Sequence, residues 1–203
     1  MGPLFSEFAR AQSPILGDPR VTVWLARTLR IPASAFVAPP NVGVARVAPA
    51  DDGTYQPVED GKVKAIILPA QCPVSYSDFD AYLAELADLG GDLVAFDATN
   101  PLRWWTRWGL ADALNPEAIV EAGTLQRPLT LFSDPLCWMR AAGASGCLNW
   151  RAGAVVLDWR FADRLLGNVP AIVCDALPLA EKVENALSKL RRRPKVLVRR
   201  EAA

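Results

Sequence analysis

The chain has 203 residues, 51% hydrophobic and 22% charged, with 22 basic and 22 acidic side chains and no histidine. That balance belongs to a globular chain able to bury a core, and it excludes disorder. The missing histidine removes Ser-His-Asp and Cys-His nucleophilic mechanisms, the imidazole base and most transition-metal sites, leaving carboxylate, lysine, tyrosine or hard-cation chemistry.

From the start, MGPLFSEFARAQSP has no basic stretch followed by a long apolar block, so no secretory signal is expected, and Pro3 argues against myristoylation. No uncharged apolar run reaches about 18 residues, so neither a transmembrane helix nor a membrane partner is expected. Cys72, Cys137, Cys147 and Cys174 are widely spaced, with no C-x-x-C pair, and read as reduced thiols of a cytoplasmic protein.

Arg20–Ile31 places Val21, Trp24, Leu25 and Leu29 on one helical face, and Pro32 ends it. GVARVAP and KVKAIILPA (Lys62–Ala70) read as strands around the turn DDGTYQPVEDG, a small hairpin or meander. Ser77–Leu89 reads as a helix with a stripe of Phe79, Tyr82, Leu83, Leu86 and Leu89, ended by Gly90-Gly91. These elements make residues 1–90 a smaller N-terminal α+β region, packed with the rest or separate from it.

After Asp92, apolar runs alternate with helical segments. DLVAFD, PLTLF (Pro128–Phe132), GCLNW or AVVLDW, PAIVCD (Pro170–Asp175) and KVLVR (Lys195–Arg199) read as strands. DPLCWMRAAG (Asp134–Gly143), Arg160–Gly167 and Leu177–Arg193 read as helices, the first with an aspartate cap and proline at its first position. The expectation is an α/β fold, with a mostly parallel sheet flanked by helices over residues 91–203.

Arg103–Trp108 packs three tryptophans and two arginines into six residues. Read as a helix, Pro101–Trp108 sets Trp104, Trp105 and Trp108 on about 100° of arc with Arg103 and Arg107 beside them. Such a patch either fills a core with Arg–Trp pairs or stacks bases on indole with arginine on phosphate. It also has the composition of a protein-docking hot spot. Residues 51–100 carry ten acids against two bases, whereas Lys189–Arg200 carries seven bases and no acid. Arg191, Arg192, Arg193 and Lys195 then either complement a helix C-terminus or form a phosphate-backbone patch.

In parallel sheets ligands gather beyond the carboxyl ends of strands, where Asp134, Asp158 and Asp175 fall. Converging carboxylates could hold magnesium, the one cofactor these residues suggest; the alternative makes Asp134 a helix cap and Asp175 a turn former. No P-loop or dinucleotide glycine motif occurs. The order strand–helix–strand–helix–strand–helix–strand over about Pro128–Arg200 resembles the TOPRIM domain of primases and topoisomerases, in the reduced form found in phage and plasmid replication proteins. The family holds magnesium with a glutamate after its first strand and an Asp-x-Asp after its third. This chain has Phe132-Ser133-Asp134 and Asp175-Ala176-Leu177 there, so one acid is matched, one displaced and one lost. The resemblance implies a nucleic-acid-associated accessory protein that has lost catalysis. A non-enzymatic protein-interaction module with an acidic surface and the Trp/Arg patch is the alternative, and a magnesium-dependent phosphotransferase or nuclease is the third reading.

Overall fold

The computed structural model describes residues 3–36, 42–70, 91–100, 102–144, 152–190 and 193–199. The Ser77–Leu89 helix, Cys72, Cys147, Trp150, Arg191 and Arg192 lie outside the described residues.

Two helices lead the chain. In α1 (Pro3–Gly17), Leu4, Ala11 and Ile15 are buried and Phe8 packs beside them, a stripe at helical spacing. In α2 (Pro19–Leu29), Asp18 caps the first turn by accepting from the Arg20 N–H at 2.8 Å, and Pro19 needs no donor there. Arg30 closes the helix in the left-handed region (φ 55°), its N–H returning to the Ala26 carbonyl.

The largest sheet is antiparallel. β1 (Gly43–Pro49), β2 (Tyr55–Pro57), β3 (Val63–Ala70), β4 (Asp92–Asp97) and β5 (Trp104–Thr106) line up in the order β2-β1-β3-β4-β5. A bridge between Thr54 and Thr106, with the Thr106 N–H on the Gly53 carbonyl at 3.1 Å, brings the two outer strands together, so the sheet curls. Both faces are covered. Ala65, Ile67, Leu93, Ala95 and Trp105 face α1, whereas Ile66, Leu68, Val94 and Phe96 join a second core with α2 and Trp138. Gly43 lets α1 approach, because a Cβ there would lie 2.6 Å from that of Ala11.

The remaining strands are short. β6 (Ala113–Leu114) pairs antiparallel with β8 (Val155–Val156). β7 (Leu129–Leu131), β9 (Ala171–Cys174) and β10 (Lys195–Val198) form a parallel sheet in the order β10-β9-β7, and a bridge from Leu131 to Ala154 joins the two groups. Four helices accompany them: α3 (Pro116–Thr124), α4 (Pro135–Gly143), α5 (Ala162–Leu166) and α6 (Leu177–Ala186). Among the described residues no helix is long and apolar enough to cross a membrane.

The expected mostly parallel sheet over residues 91–203 is therefore corrected. DLVAFD is the fourth strand of an antiparallel sheet, and only three strands run parallel. All six residues of β4 are buried because protein covers both faces, and two-sided burial produces a continuous apolar run whichever way the neighbouring strand runs. The helix tried over Pro101–Trp108 is likewise corrected: Trp104–Thr106 is β5, paired with β4.

Asp92 closes this architecture. Its side chain is buried and accepts five backbone N–H groups, from Leu93, Arg107 and Trp108 on Oδ1 and from Leu110 and Ala111 on Oδ2. The Arg107 N–H also donates to the Leu93 carbonyl at 2.8 Å, so Asp92→Ala takes the carboxylate from the other four donors, at about 1–3 kcal/mol for each that water does not reach. A loss of at least about 3 kcal/mol in urea unfolding is expected, with Asp92→Asn falling between Ala and wild type.

Candidate nucleic-acid interface

Alternation along β5 sends Trp105 to the α1 side and Trp104 to the opposite core. Trp105 is buried, and Trp104 and Trp108 are half-buried. Arg107 ties α1 to the sheet: its Nε donates to Glu7 Oε2 at 2.9 Å and its Nη1 to the Tyr55 carbonyl at 3.3 Å. The Tyr55 hydroxyl donates to Glu7 Oε1 at 3.0 Å, and burial, then the Glu7 charge, push this phenol far above its ordinary pKa, keeping it a donor. Arg103 is the exposed arginine of the pair, 3.7 Å from Asp97 Oδ2 and 5.4 Å from the centre of the Trp105 ring. The segment is thus internal packing with one exposed cation.

Of the three strand-end acids, the structure brings two together. Asp134 caps α4 by accepting from the Cys137 N–H at 2.8 Å. Asp175, at the tip of β9, accepts from Ser133 at the tip of β7, from the N–H at 3.1 Å and the hydroxyl at 2.9 Å. Asp158 stands apart, capping the turn Trp159–Phe161 and gripping Arg160. Hydrogen bonding from Arg160 holds the Asp158 carboxyl below its ordinary value, whereas burial and then Asp158 raise that of Asp112. Among the described residues no three carboxylate or thiol side chains gather closely enough to hold a metal ion. Burial, then Asp134, pushes the Cys137 thiol up to about 12, and burial, then Asp175, pushes Cys174 up to about 11, so both stay protonated near neutrality.

The basic segment divides. Arg193 donates to the carbonyls of Ser188 and Leu190, completing the turn after α6. Lys189, Lys195 and Arg199 are exposed, and the ion pairs of the described residues include none of them. Lys189 and Lys195 lie at the end where the parallel strands begin, Arg199 at the end where they finish. A cleft of about 180 Å³ opens at the beginning of β7, lined by Glu121, Arg127, Thr130 and Gly153 among others. Sequence reasoning missed Arg127, which has no basic neighbour in the chain and gains company only through strand register.

No family model, curated protein or solved structure matches this chain.

Asp97 gives the clearest pH dependence. Burial pushes its carboxyl up, but the Thr99 hydroxyl and N–H, the Asn100 N–H and Arg103 together hold it below its ordinary value. A folded-state value below the unfolded one stabilises the protein above the usual carboxylate range, and that contribution is lost as pH falls through the folded value. Asp97→Asn is expected to cost about 1–2 kcal/mol near pH 7. It also flattens the acid limb of a plot of unfolding free energy against pH, and a limb as steep as wild type contradicts this.

Proposed function

We propose that the chain is a nucleic-acid-associated accessory protein of replication or mobile-element origin, TOPRIM-like in its C-terminal elements. It holds a phosphate backbone with its C-terminal cations and carries out no chemistry on it. One observation carries the reading: Lys189 and Lys195, at one end of the parallel strands, are exposed with no carboxylate at ion-pair distance among the described residues, in a chain of zero net charge. Cations so placed bind a polyanion by displacing its condensed counterions. The one acid that matches the family's magnesium positions, Asp175, is engaged with Ser133, and the displaced Asp134 is engaged as a helix cap, which supports binding over phosphoryl transfer. Docking of a protein through Trp104, Trp105 and Trp108 has less support, because none of the three is exposed.

Fluorescence anisotropy of the full chain with labelled single- and double-stranded oligonucleotides tests the proposal. Binding is expected at low salt, weakening steeply as salt rises, and the Lys189→Glu/Lys195→Glu double variant should bind about tenfold or more weakly. No binding of either form at low salt, or a double variant indistinguishable from wild type, contradicts the proposal.

A further inference from the structure

The parallel register sets Leu129, Ile172 and Val196 in one row across β7, β9 and β10. The segments entering these strands therefore share one rim: Arg127-Pro128 ahead of β7, Pro170 ahead of β9, and Arg193-Pro194 with Lys195 at β10. Adjacent strands lie about 4.8 Å apart, so the backbone at Arg127 stands about 10 Å from that at Lys195. Sixty-odd residues of sequence separate two cations that the fold places on one edge. Arg127, like Lys189 and Lys195, is exposed and outside the ion pairs of the described residues.

Arg127 also borders the 180 Å³ cleft, which Glu121 lines as well. Gly153 is another lining residue, and its backbone is held tightly. Gly153 holds φ +135°, and a Cβ there would meet the Thr130 carbonyl oxygen at 2.2 Å. Its own carbonyl accepts from Asn115 Nδ2 at 2.7 Å and Trp138 Nε1 at 2.9 Å. Ahead of Arg127, Gln126 adopts the left-handed region (φ 51°), uncommon for a non-glycine residue, and fixes where the following arginine leaves the chain. The cleft is below the roughly 300 Å³ at which sites for whole small molecules begin, so it takes a single ring.

We infer that a single-stranded nucleic acid crosses this rim from Lys189 and Lys195 to Arg127, whose guanidinium takes a phosphate at the mouth of the cleft. Glu121 keeps phosphate off the cleft wall and leaves the space to an uncharged sugar or unpaired base. This rests on the nucleic-acid reading above and adds a site residue, a path and a strand preference to it. Arg127 follows the end of α3, where a cation also complements the helix dipole. That structural role changes stability and leaves binding untouched, so binding is the readout.

The experiment is a salt titration of affinity for a short single-stranded DNA and the duplex of equal length, using the full chain. Arg127→Ala is expected to weaken single-strand binding about three- to tenfold and to reduce the slope of log K against log salt by about 0.7, one phosphate of a single strand. Arg127→Glu weakens it further. Glu121→Gln tightens it by removing a repulsion, and Arg27→Glu on α2, away from the rim, leaves the slope unchanged. Wild type is expected to prefer the single strand. Unchanged affinity and slope in both Arg127 variants, with Lys189→Glu/Lys195→Glu still defective, overturns this inference and leaves the parent reading standing. Equal or better duplex binding removes the cleft from the path and overturns it too. A wild type that binds no nucleic acid overturns the parent reading and this one together.

Discussion

A single buried carboxylate governs how this chain turns from one sheet to the next. Asp92 begins β4, and the loop that follows β5 folds around it, with the N–H groups of Arg107, Trp108, Leu110 and Ala111 all directed at its two oxygens. No cation of the described residues pairs with it. A buried carboxylate costs a great deal unless donors replace its water, and here the backbone supplies them. Everything around the loop follows from that placement. Trp105 is set against α1, Arg107 reaches Glu7 and Tyr55, and Ala113 and Leu114 are delivered to the strand that pairs with β8.

The curled sheet explains what the sequence could and could not reveal. Local chemistry was legible: Asp134-Pro135 is the cap it resembles, and PLTLF, PAIVCD and KVLVR contain strands. Strand direction was not legible. β3 and β4 are covered by α1 on one side and by the core of α2 and Trp138 on the other, so their runs Ala65–Ala70 and Leu93–Phe96 are apolar without alternation. A run of that kind records burial, not whether its neighbour is parallel or antiparallel. The Trp segment misled for a related reason. Six residues are too few to separate a period of two from one of 3.6, and both faces of β5 meet apolar partners. α1 was not among the elements expected from the sequence, and its Pro14 lies near the end of the helix, three residues before Gly17.

The site divides along the parallel strands. Acids occupy the tips, where Asp175 takes Ser133 and Asp134 takes the first turn of α4. Three cations outside the ion pairs of the described residues occupy the opposite rim, Lys189 and Lys195 from one segment and Arg127 from another, while Arg199 stands at the tips with the acids. With zero net charge the molecule has no overall field to draw in a polyanion, so any attraction is local to that rim. The run Lys189–Arg200 was visible in the sequence as a charge cluster. Arg127 was not, because only β-sheet register brings it alongside, and Arg193, prominent in the run, is turned toward backbone carbonyls instead.

The loop after β5 is pinned from within and therefore does not offer Arg107 and Trp108 as a flexible binding surface. Residue-resolved amide hydrogen exchange measures this directly at Trp108, Leu110 and Ala111; the Arg107 amide is left out because it also donates to the Leu93 carbonyl at 2.8 Å. Protection approaching that of the β4 amides is the result expected from bonds to a buried carboxylate. Exchange as fast as in the exposed turn at Asp51–Gly53 would mean that Asp92 does not hold these groups, and would contradict the account at its centre.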